Sequence, residues 1–398
     1  MRTPCDILVV GGGVAGLSAA CVFASAGFET ICVDPVPPIT DATLAGADLR
    51  STAFLLPSVE LLSQSGLWAQ LAPHAAPLGI MRILDAGGEA GIVREQADFR
   101  ASDLGVDAFG YNLPNTLLRK KMLAFLRQFS NFTLLAPETA GKLTPRSSGA
   151  LVKLANGGQI AAKLVIAADG RNSPLRTQLG IPVKTWRYGQ KALVFNTIHS
   201  TPHQNISTEI HRSGGPFTLV PLEDPYQSAV VWMERGPRAA DLYTLNENAF
   251  NQALTERACG TLGAIKINGK RAIWPIIAQR AERLNGPRTA LLAEAAHVIP
   301  PIGAQGLNMS LADLAALKAL VLKARENGQD IGAADLLQNF HRARWPDMAA
   351  RINGVDLLNR ASMAETPLLK DLRRAGLKAL HSIKPIRNEL MKRGLGAK

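Results

Sequence analysis

The stretch ILVVGGGVAGLSAACVFASAGF, Ile7 to Phe28, carries no charged residue, and a basic Arg2 lies just ahead of it. About 20 apolar residues suffice to cross a bilayer, and a secretory signal also begins with a basic residue and an apolar core. Gly11, Gly12 and Gly13 oppose both readings. Each glycine inside a helix costs roughly 1 kcal/mol against alanine, and three in a row cut the apolar run in two. Before them, Asp6 to Val10 has the short aliphatic character of a buried parallel strand. After them, Val14 to Ala26 predicts a tightly packed helix that Gly27 ends. Thr30 to Val33 follows as a second strand, closed by Asp34.

Gly11, Gly13 and Gly16 form G-x-G-x-x-G. The first permits the tight turn, the second lets a pyrophosphate approach the backbone, and the third lets helix pack on strand. The helix N-terminus offers free N–H groups and positive partial charge to that pyrophosphate. Asp34, 18 residues beyond Gly16, is placed to accept hydrogen bonds from an adenosine ribose. In its strand–turn–helix–strand setting the motif predicts a dinucleotide site. It does not by itself separate FAD from NAD.

At 398 residues the chain has room for one or two domains with a large core. Its 47% hydrophobic and 19% charged content is that of a soluble globular protein. Cys5, Cys21, Cys32 and Cys259 form no C-x-x-C pair, so a reduced cytoplasmic protein without a zinc or disulfide framework is expected. The net charge of +12 is uneven: from Arg360 onward ten Lys or Arg face Glu365, Asp371 and Glu389, a net +7. Among them Leu368, Leu369, Leu372, Leu377, Leu380, Ile383, Ile386, Leu390 and Met391 have the spacing of amphipathic helices broken at Pro385. The plain expectation is a helical pair packed on the body with a solvated basic face. The sharper one is peripheral contact with anionic lipid, at the inner face of the membrane, or with an acidic partner. Nucleic acid is not expected, because aromatics make up only 5% and no recognised module occurs.

Beyond the opening unit the pattern predicts helix from about Ser58 to Leu71 and strand near Met81 to Leu84. Helix is expected again from Thr116 to Phe129, with strands near Leu151 to Leu154 and Leu164 to Ala168. Pro182 to Pro275 is strand-rich, with LVFNTI, FTLVPL and SAVVWM between Pro and Gly breaks, and helices dominate from Ala312. In KLVIAADGRNSPLR a strand ends at Asp169-Gly170, followed by Ser173 and Arg176. In RTALLAEAAHVIPPIGAQGLNMSLADLAAL a strand over Ala290 to Ala293 delivers Glu294. A Pro- and Gly-bearing turn then enters a long helix near Gly306-Leu307-Asn308.

These three motifs, in this order and spacing, resemble the class A flavoprotein aromatic monooxygenases of the p-hydroxybenzoate hydroxylase fold. DLRSTAFLLPSVELLSQSGLW, FGYNLPNTLLRKKML and the ending LMKRGLGAK look like the ubiquinone-biosynthesis hydroxylase branch. The resemblance implies an α/β fold: a discontinuous FAD-binding Rossmann-like domain with an inserted, mostly β substrate domain and a C-terminal helical segment. The corresponding division is 1–75, 97–180 and 276–330 for FAD, 76–96 and 181–275 for substrate, and 331–398 for helices with a basic tail.

By the same resemblance Gly11, Gly13, Gly16 and Asp34 serve the ADP part of FAD, and Asp169 and Gly170 contact FAD. Glu294 takes the position of the acid that holds a ribityl hydroxyl. Ala293-Glu294 replaces the family's Gly-Asp, adding a methylene to the acceptor. Pro301, Gly303, Ala304, Gln305, Gly306, Leu307 and Asn308 match the loop beside the flavin ring, with Ala304 where the quinone branch has glycine. Arg50 and Arg119 match positions near the FAD phosphates and ring; the plain alternative for both is surface charge. His297 is expected in the flavin shell or as a structural residue, and no metal site is expected because no second Glu-x-x-His exists.

No acid–base pair stands out as catalytic, the nearest candidates to the ring being His297, Pro301 and Gln305. The resemblance implies ring hydroxylation with O2 and NAD(P)H or another reductant as a transient donor. The expected substrate is a hydrophobic aromatic, most readily a polyprenylated ubiquinone precursor, and contact with a quinone-biosynthesis complex is in keeping with the tail. Two alternatives stay open at this point: a hydroxylase of a small soluble phenol, and a degenerate FAD-binding subunit without activity.

Overall fold

The computed structural model describes residues 2–87, 91–212, 214–363, 366–382 and 384–395. The opening aliphatic run is a strand, Arg2–Val10, paired in parallel with Thr30–Val33 on one side and Gln159–Ala167 on the other. Phe132–Leu135 extends the sheet beyond Thr30–Val33, and Thr289–Leu291 with Asn285–Gly286 extends the opposite edge. An antiparallel pair, Ala140–Arg146 and Gly149–Leu154, hangs from Gln159–Ala167. Strands buried on both faces read as continuous apolar runs, and Ile7, Leu8, Val9, Leu164, Val165 and Ile166 are fully buried. The helix Val14–Ser25 lies between this sheet and the helices Asn115–Leu126 and Gln305–Glu326, with Leu17 and Ala19 to Phe23 wholly inside. A helix covered on every side needs no polar stripe, which is why this segment has the hydropathy of a membrane span. No described helix is long and apolar enough to cross a membrane.

The second sheet runs in the order His297–Val298, Ile265–Ala281, Val183–His199, Gln227–Arg235, Pro216–Pro221, Ile206–His211, Ile80–Asp85, Glu95–Arg100. Strands Glu95–Arg100 and Ile265–Ala281 each cross a boundary of the division drawn above. Side chains alternate between faces along a strand. Leu193, Phe195, Phe217 and Trp232 pack on helices Gly236–Thr244 and Glu247–Arg257, through Leu242 and Phe250. Ser207, Glu209, Thr218, Val220 and Val231 face the other way, into a cleft. A small sheet of Ser51–Leu55, Gly110–Pro114 and Ala76–Pro77 borders the same cleft.

Helix Ala334–Ser362 is followed by Pro367–Ser382 and Lys384–Leu395, so Pro385 is the second residue of the last helix. Glu365, Ile383 and residues 396–398 lie outside the described residues, and nothing is described of the side chains of Leu368, Leu369, Leu372, Leu380, Ile386 and Leu390. The tail is docked on the outer edge of the second sheet: Arg94 meets Asp371 at 3.1 Å, Arg387 meets Asp103 at 3.3 Å, and His381 stacks edge-on against Phe99. Met391, 7% exposed, packs with Leu55, Phe109 and Met81. All four cysteines are free. Burial, with neighbouring acid charge, pushes the Cys5 and Cys32 thiols up to about 12, so both behave as small hydrophobes.

Candidate active site

The cleft, about 440 Å³, is lined by the glycine turn, the small sheet, the inner face of the second sheet and the loop that enters helix Gln305–Glu326. Its geometry begins with the glycines. Gly11 has φ +114°, and a Cβ there would strike the Ala168 carbonyl; one on Gly16 would strike the Gly11 carbonyl. Gly13 caps the helix with ordinary extended angles, φ −69° and ψ 174°, and a Cβ there would meet nothing within 4 Å. Two glycines thus permit close packing, and the third leaves backbone open to the cleft at a helix N-terminus. Asp34 lies outside the cleft wall, with Oδ2 accepting from the Gly12 N–H at 2.5 Å and Oδ1 from the Val36 N–H at 2.8 Å.

Asp169 and Gly170 follow the strand Gln159–Ala167. Gly170 lines the cleft, while Asp169 does not. Asp169 Oδ2 accepts from the Leu175 N–H at 3.1 Å, whereas Oδ1 is buried without a protein partner among the described residues. Burial raises this carboxyl above the ordinary range despite the bonds from Ser173 and Leu175. An orphaned buried acceptor costs about 1–3 kcal/mol, so a ligand donor is the fitting partner. Arg176 is sequestered in structural work, donating to the carbonyls of Ala295 and Arg171 at 2.9 Å each.

Ala293–Ala295 forms a short 3-10 turn, and Glu294 projects into the cleft, 4.0 Å from Arg171 Nε. Both alanines singled out in this region have left-handed backbone, Ala293 at φ 55° and Ala304 at φ 57°. Helix Gln305–Glu326 starts directly after Ala304, so its free N–H groups point toward the cleft end of the loop. Pro301, Gly303, Ala304, Gln305, Gly306 and Leu307 all line the cleft. Asn308 does not. Its Oδ1 accepts from the Leu55 N–H (2.9 Å) and the Ser58 hydroxyl (2.7 Å), and its Nδ2 donates to the carbonyls of Ala53 (2.8 Å) and Ala304 (2.6 Å). The side chain is a brace between helix and small sheet rather than a face of the pocket.

Arg50 and Arg119 are not free surface charges. Asp48, 6% exposed, takes a bidentate pair from Arg50 (2.7 and 2.8 Å), a bond from Asn115 (2.9 Å) and the charge of Arg119 (3.7 Å). Burial alone would raise the Asp48 carboxyl. The Arg50 and Asn115 bonds, with the Arg50 charge, outweigh it and leave the carboxyl below the usual range. Both arginines line the cleft, and Arg119 Nε is buried without a hydrogen-bond partner among the described residues. His297, 3% exposed, lines the cleft with Nε2 held 2.9 Å from Oδ2 of the fully buried Asp313, whose Oδ1 receives Arg344 Nε at 2.7 Å. No group of three or more metal-ligating side chains occurs among the described residues.

Asp48, Asn115, Asp313 and Arg344 went unseen in the sequence. Asp48 had a signal, its position two residues before Arg50. Asp313 had another, as an acid on an otherwise apolar helical face in SLADLAAL.

Residues 4–352 match the FAD binding domain family. The chain is 32% identical to the ubiquinone hydroxylase UbiL of Rhodospirillum rubrum over 98% of this chain and 89% of that protein. It is 27% identical to the 3-demethoxyubiquinol 3-hydroxylase of Escherichia coli, over 99% of each. In three dimensions it superposes on p-nitrophenol 4-monooxygenase PnpA of Pseudomonas putida with a TM-score of 0.82 at 17% identity, covering both chains fully, which speaks to the fold. The chain therefore belongs to the FAD binding domain family, as a flavoprotein monooxygenase of its ubiquinone-hydroxylase branch.

Proposed function

We propose that this monooxygenase hydroxylates the aromatic ring of a polyprenylated precursor of ubiquinone, with O2 and a reduced nicotinamide as co-substrates. The observation that carries the reading is likeness to ubiquinone hydroxylases over nearly the whole chain. The cleft supports it: Leu55, Leu78, Ile80, Met81 and Phe109 make an apolar region beside the cofactor turns. Such a wall suits a ring bearing a hydrocarbon chain.

Bound FAD supplies the electron transfer to O2 and the delivery of one oxygen atom. The chain's part is to bind and orient. Gly13 and its helix N-terminus receive the pyrophosphate, Asp34 the ribose, and Arg50 and Arg119 the phosphates and ring edge. Asp169 Oδ1 and Glu294 accept hydroxyl groups, and the N–H groups opening helix Gln305–Glu326 stabilise negative charge on the ring's pyrimidine edge. The exposed basic residues Arg374, Lys378 and Lys392 favour peripheral contact of a cytoplasmic protein with anionic lipid at the inner membrane face.

Purified protein is expected to be yellow and to consume NAD(P)H in an oxygen-dependent manner. Deletion of the gene is expected to accumulate an under-hydroxylated quinone precursor by mass analysis. A normal quinone pool without such an intermediate overturns the substrate assignment.

A further inference from the structure

We infer that Glu209 is the catalytic carboxylate that holds the hydroxyl of the substrate ring and takes its proton during oxygen transfer, with His211 as its positioning residue. The inference rests on the hydroxylase reading above.

Strand Ile206–His211 turns Ile210 into the core beneath the sheet and Ser207 and Glu209 into the cleft. Thr218 lies directly opposite Glu209 in the antiparallel pairing and also lines the cleft. These three polar groups interrupt a floor otherwise made of Met81, Val220 and Val231. Glu209 Oε1 lies 2.8 Å from His211 Nε2, and the Glu209 side chain is only 15% exposed. His211 Nδ1 is buried without a partner among the described residues, so the 2.8 Å approach of Nε2 to Glu209 is the one polar contact of this ring. Oε2 has no protein partner among the described residues. A carboxylate oxygen in an apolar chamber is costly unless something donates to it.

The other carboxylates at the cleft are otherwise engaged. Asp48 is held by two arginines and an asparagine, and Glu294 stands on the cofactor turn beside Arg171. His297 is tied to Asp313. Among the described residues, Glu209 is the cleft-lining carboxylate that stands on the substrate sheet.

Oxygen attack on a ring places positive charge on it, and a ring hydroxyl then becomes strongly acidic. As the new C–O bond forms, the O–O bond to the transferred oxygen breaks and the other oxygen leaves as water. Meanwhile the substrate O–H bond breaks, its electron pair stays on the ring oxygen as a carbonyl forms, and the proton goes to Glu209 Oε2. Loss of the ring C–H proton at the new carbon then restores the aromatic ring. The oxygen atom and the two electrons come from O2 and the reduced donor of the established activity. General-base assistance of this kind contributes about 10²–10⁴-fold.

The test uses FAD-loaded full-length protein with 2-prenylphenol and its O-methyl ether as probes. Binding is read from perturbation of the flavin spectrum and turnover from hydroxylated product. Wild type is expected to bind and hydroxylate the phenol at least about tenfold better than the ether. Glu209→Gln, checked for normal FAD content, is expected to lower kcat on the phenol about 10²-fold, to weaken phenol binding about tenfold, and to lose the preference over the ether. His211→Gln, which keeps an N–H near Nε2, is expected to stay within about threefold, whereas His211→Leu loses about tenfold.

Glu209→Gln retaining the phenol rate within twofold overturns the inference. So does a wild type that binds phenol and ether equally, a result that needs no variant. Wild type that binds both probes and hydroxylates neither overturns the hydroxylase reading beneath it instead.

Discussion

Two backbone turns meet at the cleft and answer similar geometric demands with different residues. In the opening turn every position that needs glycine has it. In the late turn, Ala293 and Ala304 occupy left-handed backbone where glycine would be at ease. The difference lies in what surrounds them. Gly11 and Gly16 are constrained by space, since a Cβ on either would collide with backbone carbonyl groups. Ala293 and Ala304 already carry a Cβ at left-handed φ, and an L-residue tolerates that well at roughly 1–2 kcal/mol. Space is absolute; dihedral preference is a modest penalty. The sharpest way to break this contrast is Gly16→Ala. Helix Val14–Ser25 would have to lift off the turn, so a loss of more than about 3 kcal/mol is expected. A urea unfolding midpoint within error of wild type would refute the spatial argument.

Between the two turns stands Asp48, whose demand is electrostatic. Asp48→Ala leaves Arg50 and Arg119 without their shared anion and is expected to cost about 3 kcal/mol. The pH dependence has a definite sign. Because the folded carboxyl is depressed, its contribution is complete above the unfolded value near about pH 4, and it fades as pH falls through the still lower folded value. Acid titration of thermal stability should show this loss in wild type and a shallower one in Asp48→Ala.

Gly13 separates folding from binding within the opening turn itself. Its angles suit any residue and a Cβ would enter open space. Gly13→Ala should therefore unfold within about 0.5 kcal/mol of wild type. FAD affinity should fall at least about tenfold, or 1.4 kcal/mol, because the new methyl group occupies the approach of the pyrophosphate. Fluorescence titration of apoprotein with FAD checks it; unchanged affinity would place the pyrophosphate elsewhere.

What could be read from residues alone follows the same division. The opening strand, turn and helix were legible because close approach dictates residue types at fixed spacing, and even the late helix starts at Gln305, one residue from where it was expected. The second sheet was legible as strands but not as an order. Ile206–His211 pairs in parallel with Ile80–Asp85, far upstream, and nothing local in either strand encodes its partner. Helices Gly236–Thr244 and Glu247–Arg257 were lost in a segment read as strand-rich, although Asn246 caps the second by accepting from the Ala249 N–H. In the site, Arg50 and Arg119 could be placed by family resemblance. The buried carboxylate that holds them could not, because its bonds reach from residue 48 to 115 and 119. Asn308 was read as part of the loop whose backbone lies against the flavin ring; that its side chain braces helix and small sheet through four hydrogen bonds had no local signal.

The smallest expected effect probes the late turn. If Ala293 is held at φ 55° against its own preference, Ala293→Gly removes a penalty of roughly 1–2 kcal/mol and adds the extra chain entropy of glycine, roughly 0.5–1 kcal/mol. The net is a stabilisation of about 0.5 kcal/mol, opposite in sign to the usual outcome of inserting glycine. Ala293→Val, with a branched Cβ at the same φ, should instead destabilise by more than about 1 kcal/mol. The pair isolates the dihedral from the loss of a methyl group, since a packing role for the Ala293 side chain would make the glycine variant the weaker protein. Denaturant midpoints for the two variants, read with and without FAD, decide between these accounts. A destabilised Ala293→Gly would mean that the late turn, like the opening one, is governed by what its side chains touch.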